Sequence, residues 1–320
     1  MTGIDNMAGQ VSIGKLNVAD LNPKCRTAGI RWIPVVDGQY KVWTKKIGSG
    51  KTKVLLLHGG PGFNHEYFEC MEDFLPPNGF EMYYYDQLGC CNSQVPDPND
   101  DSLWTIPRYL EEVEEVRQGL GLDAFVIVGH SWGGILAIEY ALKHQHEGHL
   151  KAIVVSNMVA SIESFLVCSG KWKQTLPPDR LALCEKIETE EDWQNPEYEK
   201  IMMEELYPKM ICRIQPWPEP FTRSLRHVNM GIYVHMQGYS EFVVTGNLKG
   251  WDSWDRLKDI KIKALMLGAE YDEMDPEDMK KMAEMMPNAT AAICPGGSHM
   301  AFWDSQDAYF EHLLSFLHSL

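Results

Sequence analysis

The chain has 320 residues, enough for one large α/β domain or two ordinary ones, and buries a sizeable core: 44% of its residues are hydrophobic and 23% charged. Its formal charge of -16, from 45 acidic against 29 basic side chains, argues against nucleic acid or an anionic membrane as partner. Small neutral or cationic molecules suit that field better.

In chain order, Met1 to Lys15 is polar and glycine-bearing, with no apolar signal core. No apolar run approaches the ~20 residues that span a bilayer. A cytoplasmic protein is therefore expected. Gly29 to Trp43 alternates in a strand-like way and suits an antiparallel edge. Val54 to Leu57 reads as a buried strand that stops at His58-Gly59-Gly60-Pro61-Gly62, where the glycines and proline end it. Phe80 to Asp86 reads as a second strand, and Ile106 to Leu120 has apolar residues at helical spacing. Ala124 to Val128 then forms a strand, Gly134 to Lys143 a helix, and Leu150 to Val155 a further strand. This β-α-β order predicts a largely parallel sheet. From about Ser161 to Leu248 buried strands give way to helical segments rich in Glu, Met and Trp, broken by Pro177-Pro178, Pro196, Pro208 and Pro216-Trp217-Pro218. Strands return at Lys263 to Leu267 and Ala289 to Cys294, and Ala308 to Leu320 closes the chain as an amphipathic helix. The expected organisation is a core of residues 1–160 and 249–320, interrupted by a helical cap of residues 161–248.

Gly129-His130-Ser131-Trp132-Gly133 is a G-x-S-x-G pentapeptide between an apolar strand and a helix. In that context it means a nucleophile elbow, the strained strand-to-helix turn of an α/β-hydrolase fold. The helix N-terminus behind Ser131 favours developing negative charge. Acyl transfer also needs preorganised donors for the tetrahedral oxyanion. The N–H groups of Gly60, in the earlier glycine loop, and of Trp132, after the serine, are the candidates. A serine nucleophile further requires a histidine base and an orienting carboxylate, expected downstream in the order Ser, Asp, His. Asp272 follows one strand and His299, in Gly296-Gly297-Ser298-His299, follows the last. Glu270, Glu273 and Asp275 are competing acids, read as solvated loop charges. The eight cysteines (25, 70, 90, 91, 168, 184, 212 and 294) show no zinc-like spacing and are read as reduced thiols.

HGGPG, Asp86-Gln87-Leu88-Gly89, GHSWGG, Gly268-Ala269-Glu270-Tyr271-Asp272 and Gly297-Ser298-His299, in that order, make the chain resemble the proline iminopeptidase family of α/β-hydrolases from about residue 30 onwards. Cys212-Arg213, Pro218-Glu219-Pro220, Glu241-Phe242 and Gly246-Asn247-Leu248 are similar to its tricorn-interacting, cytosolic branch. The resemblance implies release of an N-terminal residue, often proline, from short peptides, or hydrolysis of amino-acid amides, with no cofactor and no metal. It also implies that acidic cap residues bind the substrate ammonium. Glu241 is the first candidate, Glu204 and Glu205 come next, and Glu219 is weaker. Trp132, Trp217 and Tyr239 are candidates to wall a pocket for a pyrrolidine ring. One departure stands at Gly89-Cys90-Cys91-Asn92-Ser93, where relatives usually have glycine in place of Cys91, so an altered loop is expected there. Two rival readings are an esterase, lactonase or amidase acting on substrates without a free amine, and a non-catalytic binding protein of the same fold.

Overall fold

The computed structural model describes residues 27–97 and 100–320. Met1 to Lys15 and Cys25 lie outside the described residues. An eight-stranded sheet runs through the protein in the order β1-β2-β4-β3-β5-β6-β7-β8. Its strands are β1 (Ile30–Val35), β2 (Tyr40–Ile47), β3 (Thr52–Leu57), β4 (Phe80–Tyr85), β5 (Phe125–His130), β6 (Leu150–Ser156), β7 (Lys263–Ala269) and β8 (Ala289–Cys294). β1 and β2 form the antiparallel edge, and every pairing from β4 to β8 is parallel.

The strand alternation divides the core between the two faces of the sheet. Leu55, Leu57, Ile127, Ile153 and Val155 point to one side. There they meet α1 (Ile106–Leu120), α2 (Trp132–His144) and α9 (Pro276–Met285) through Val113, Val116, Ile135, Leu136, Met279 and Met282. Val54, Leu56, Val126, Val128 and Val154 point to the other. That face is covered by the 3-10 helix Glu66–Asp73 and the C-terminal helix α11 (Gln306–His318), through Tyr67, Phe68, Met71, Tyr309, Leu313 and Leu317.

Between β6 and β7 the chain is helical: α3 (Ile162–Lys173), α4 (Pro178–Glu190), α5 (Pro196–Ile201), a π-helical turn (Met202–Leu206), α6 (Tyr207–Met210), α7 (Glu219–Arg226) and α8 (Met230–Met236). Pro178 and Pro196 open helices rather than break them, because the first turn has no intrahelical use for the missing N–H. The short α10 (Ala301–Asp304) leads into α11. Helix α9, unforeseen in the sequence, starts at an Asp275 cap whose carboxylate accepts from the N–H of Glu277. Among the described residues no helix is long and apolar enough to cross a membrane.

Candidate active site

β5 is buried along its whole length and delivers the chain to Ser131, which caps α2 at φ 54, ψ -125. That backbone region is unfavourable for an L-residue, so the fold must impose it. Close approach explains the flanking glycines. A Cβ on Gly129 would stand 2.1 Å from the carbonyl oxygen of Gly133, and one on Gly133 would stand 2.0 Å from that of Leu57. The turn is held by Ser131 N–H donating to the Ser156 carbonyl at 3.0 Å.

The loops after β7 and β8 meet beside this turn. His299 Nδ1 lies 2.9 Å from Asp272 Oδ1, and both side chains are buried. Asp272 is fixed from three directions. Asn157 Nδ2 donates to its Oδ2 at 2.7 Å, the N–H of Met274 donates to Oδ1 at 3.1 Å, and Trp172 Nε1 donates to its carbonyl at 2.9 Å. Asn157 follows β6 in a left-handed conformation at φ 53. The sequence contains it as an ordinary residue after an apolar strand, with no motif to mark it. With Nδ1 committed to Asp272, the Nε2 face of His299 is left to the cavity. Burial pulls the imidazole pKa down, but Asp272, Glu273 and Glu241 outweigh it and hold the group up at about 9. Among the described residues Ser131 Oγ and His299 Nε2 share no hydrogen bond; Nε2 instead lies 3.7 Å from Glu273 Oε1.

Gly60 lines the same cavity as Ser131. Its φ of 113 and the cis Gly60–Pro61 bond turn the HGGPG loop sharply after β3. The N–H of Gly59 is already committed, donating to Tyr67 Oη at 2.6 Å. Tyr67 Oη lies 3.2 Å from His130 Nδ1, and His130 Nε2 lies 2.9 Å from the carbonyl of His299. Burial, with His299 adding to it, holds the His130 imidazole well below its usual range, hence neutral. A neutral His130 protonated on Nε2 completes a directional chain: Gly59 to Tyr67, Tyr67 to His130, His130 to the His299 carbonyl. Trp132 is the first residue of α2, so its N–H has no intrahelical partner and remains for a ligand. Its indole donates to Gln87 Oε1 at 2.9 Å, and the Gln87 amide donates to the carbonyl of His58 at 3.0 Å, which ties the Asp86-Gln87 loop to the elbow.

Ser131 and His299 open on a cavity of about 250 Å³. Its walls are chiefly apolar, from Phe63, Ile135, Met158, Phe165, Phe221 and Leu225. Two carboxylates are set into it, Glu241 and Glu273. Burial pushes Glu241 up, opposed by a hydrogen bond from the Tyr233 hydroxyl and by His299. Burial and then the Glu241 charge push Glu273 well above the usual carboxylate range, and Glu273 Oε2 has no hydrogen-bond partner. A buried acid with an orphaned oxygen beside a second, partly buried one is costly in an apolar pocket unless a cation or donor joins them.

The residues expected to hold an ammonium therefore need correction. Glu204 is exposed, and Glu205 pairs outward with Arg180 at 3.4 Å; neither reaches the cavity, because the π-helical turn buries Met202 and Leu206 instead. Glu219 is exposed and pairs with Arg223 at 2.6 Å. Glu273, read as a solvated loop charge, is instead buried and lines the cavity. Glu270 and Asp275 do behave as loop groups, accepting from the N–H of Gly296 and Glu277 respectively. Tyr239 lines the cavity and is 53% exposed, so it sits at the mouth. Trp132 lines it too. Trp217 does not: its indole donates to the Cys212 carbonyl at 2.9 Å and its ring packs on Phe221. Cys91 takes φ 38, so the loop keeps a backbone that favours glycine in spite of the substitution.

The α/β hydrolase fold family model matches residues 52–306. The chain is 42% identical over 291 residues to a proline iminopeptidase of Flavobacterium johnsoniae, covering 88% of this chain and 95% of that one. It is 44% identical over 287 residues to a proline iminopeptidase of Chitinophaga pinensis, covering 88% and 94%. The crystal structure of a proline iminopeptidase from Mycobacterium smegmatis superposes with a TM-score of 0.82 at 27% identity, over 91% of this chain and 98% of that one.

Proposed function

The chain belongs to the proline iminopeptidase family of α/β-hydrolases, and from that premise we propose that it is a serine exopeptidase releasing an N-terminal residue, preferentially proline, from short peptides. The observation that carries this reading is the pair of carboxylates, Glu241 partly buried and Glu273 fully so, in the cavity that Ser131 and His299 share. An ammonium seated between them receives the counter-charge the pocket otherwise lacks. N-terminal proline presents a secondary ammonium with two N–H bonds, one for each carboxylate, and its flat ring suits the apolar walls. A primary ammonium brings a third donor that needs a further acceptor.

In the proposed mechanism Ser131 Oγ attacks the carbonyl carbon of the first residue while His299 Nε2 takes the hydroxyl proton. The N–H groups of Gly60 and Trp132 hold the oxyanion, and Asp272 keeps His299 in the right tautomer. Collapse of the tetrahedral intermediate breaks the C–N bond, and His299 gives its proton to the departing peptide amine. Water, deprotonated by the same imidazole, then hydrolyses the aminoacyl ester and returns the proton to Ser131. The entering ammonium adds a positive charge beside His299 and so opposes the lift from the neighbouring carboxylates, which favours the neutral imidazole that acts as base.

In this reading residues 161–248 are a cap that carries Tyr207, Tyr233, Tyr239 and Glu241 over the Ser131 elbow, and the described residues before and after it are the core. Its cytoplasmic placement is supported by the free thiols of all described cysteines. The test compares proline p-nitroanilide with its N-acetyl form. An exopeptidase anchored on the ammonium loses nearly all activity when the amine is blocked; equal rates would assign the chain to amidases or esterases that ignore the amine.

A further inference from the structure

The loop Gly89-Cys90-Cys91-Asn92-Ser93 has no part in the peptidase reading, yet Cys91 holds its side chain at φ 38, a conformation that costs an L-residue on the order of 1 kcal/mol. Its Sγ meets two other groups from distant parts of the chain. Glu66 opens the 3-10 helix after the HGGPG loop, and His227 ends α7. One ligand atom from each of Glu66, Cys91 and His227 lies within 4.8 Å of the others. His227 Nδ1 stands 2.7 Å from Glu66 Oε2, while Glu66 Oε1 is held by Arg223 Nε at 2.9 Å. One carboxylate oxygen is thus anchored and the other presented. Glu66 is buried, and the His227 side chain is 46% exposed.

We propose that Glu66, Cys91 and His227 form a binding site for a borderline-soft divalent cation of the zinc class, with water in the fourth position. A thiolate, an imidazole and a carboxylate are zinc donors, whereas calcium and magnesium take oxygen ligands. The proton balance is simple. The cation displaces the Cys91 thiol proton to solvent, and the imidazole proton moves from Nδ1 to the other ring nitrogen. One Zn²⁺ then meets one thiolate and one carboxylate, and the three charges cancel. Burial, with Asp86 and Glu66 beside it, pushes the metal-free thiol up to about 12. The same acids attract a dication, so the group that is inert as a free nucleophile becomes a competent ligand once metal arrives. Zinc bonds of about 2.0–2.3 Å at tetrahedral angles need ligand atoms about 3.3–3.7 Å apart. The His227–Glu66 gap must therefore open by about 0.6 Å. A half-exposed side chain on the turn after α7 has room for that shift.

The site bridges the sheet side of the protein and the helical segment between β6 and β7. Two other ties lie beside it: Asn229 N–H to the Gly62 carbonyl at 2.9 Å, and Asn229 Nδ2 to the Gly89 carbonyl at 2.8 Å. A bound cation adds a further tie just before α8, the helix that carries Tyr233. It acts as a strap on the anchor wall of the cavity, and it stands or falls independently of the peptidase reading.

The test uses the full chain, stripped with chelator and dialysed, then titrated with Zn²⁺ and separately with Co²⁺. One zinc per chain is expected, together with a thiolate-to-cobalt charge-transfer band and a zinc-dependent rise in Tm. Cys91→Gly suits the local backbone and so keeps the fold. It should abolish the band and the Tm rise and weaken zinc binding about tenfold or more, the scale at which even outer-shell changes are felt. His227→Gln, on the half-exposed side, should weaken zinc likewise while leaving circular dichroism unchanged. Failure of the wild-type chain to bind a stoichiometric zinc overturns the proposal. So does an undiminished cobalt band, or undiminished zinc affinity, in either variant.

Discussion

Replacing Glu273 by glutamine keeps the shape of the cavity wall and removes one of its two charges. At about 4 Å and an effective dielectric of about 20, a carboxylate and an ammonium attract by about 4 kcal/mol. Desolvation of the ammonium takes back part of this, leaving roughly 2–3 kcal/mol. For Glu273→Gln that corresponds to a fall in kcat/KM of about 30- to 150-fold on proline p-nitroanilide. The N-acetyl substrate, which has no charge to place there, should change by less than about threefold, within the reach of indirect effects. A second readout is the pH profile. His299 must be neutral to act as base, so activity rises as pH passes through its pKa; Glu273 is among the acids that raise that pKa. Its removal therefore moves the acidic limb of kcat/KM to lower pH. Equal losses on both substrates, or an acidic limb that stays in place, would refute the assignment of Glu273 as an ammonium anchor.

Ser131→Ala should abolish turnover with circular dichroism unchanged, and activity near wild type would remove Ser131 from the mechanism. Ser131→Gly should be equally inactive but more stable by about 1 kcal/mol, because glycine tolerates φ 54 without strain; urea denaturation reads the difference. Asn157→Ala removes a 2.7 Å hydrogen bond to Asp272 and should lower kcat about tenfold while KM holds, the sign of a base less well oriented. If KM moves and kcat does not, Asn157 serves binding instead. Tyr67→Phe leaves the Gly59 N–H and His130 Nδ1 without their shared hydroxyl, which should cost about 1–3 kcal/mol of stability and also lower kcat. Loss of stability with full kcat would show that the chain from the glycine loop to the His299 loop does not reach the chemistry.

What the sequence made legible follows from how local each signal is. The Ser131 elbow needs only five residues between an apolar strand and a helix, and the buried runs of β3, β5, β6 and β7 announce themselves by composition. Asp272 and His299 stand out as candidates because each follows a strand, and the fold brings them within 2.9 Å of each other. The burial of Glu273 is not legible for a related reason: as the neighbour of Asp272 it reads as one more acid in a loop, and only the fold places it in the cavity wall. Glu204 and Glu205 lie outside the cavity lining, where a π-helical turn at Met202–Leu206 alters the helical register. Five residues of ordinary composition carry no sign of that turn. Helix α9 is legible in principle, since Asp275-Pro276 is a helix start, but an acid there reads equally well as a partner for His299. Asn157 and Tyr67 act through contacts across 115 and 63 positions of chain, beyond what any local pattern reports.

The unpartnered oxygen of Glu273 also bears on how the protein exchanges protons with its surroundings. In the empty site burial and Glu241 raise the Glu273 pKa and the nearby acids raise that of His299, so the two groups compete for a proton, and a cationic amine entering the pocket weakens the hold of both. Docking an N-terminus therefore expels a proton to the buffer, and departure of the product amine takes one back. The heat measured on binding free proline should accordingly vary with the ionisation enthalpy of the buffer, and proline should grip more tightly as the medium becomes less acidic, until its own amine begins to lose its charge.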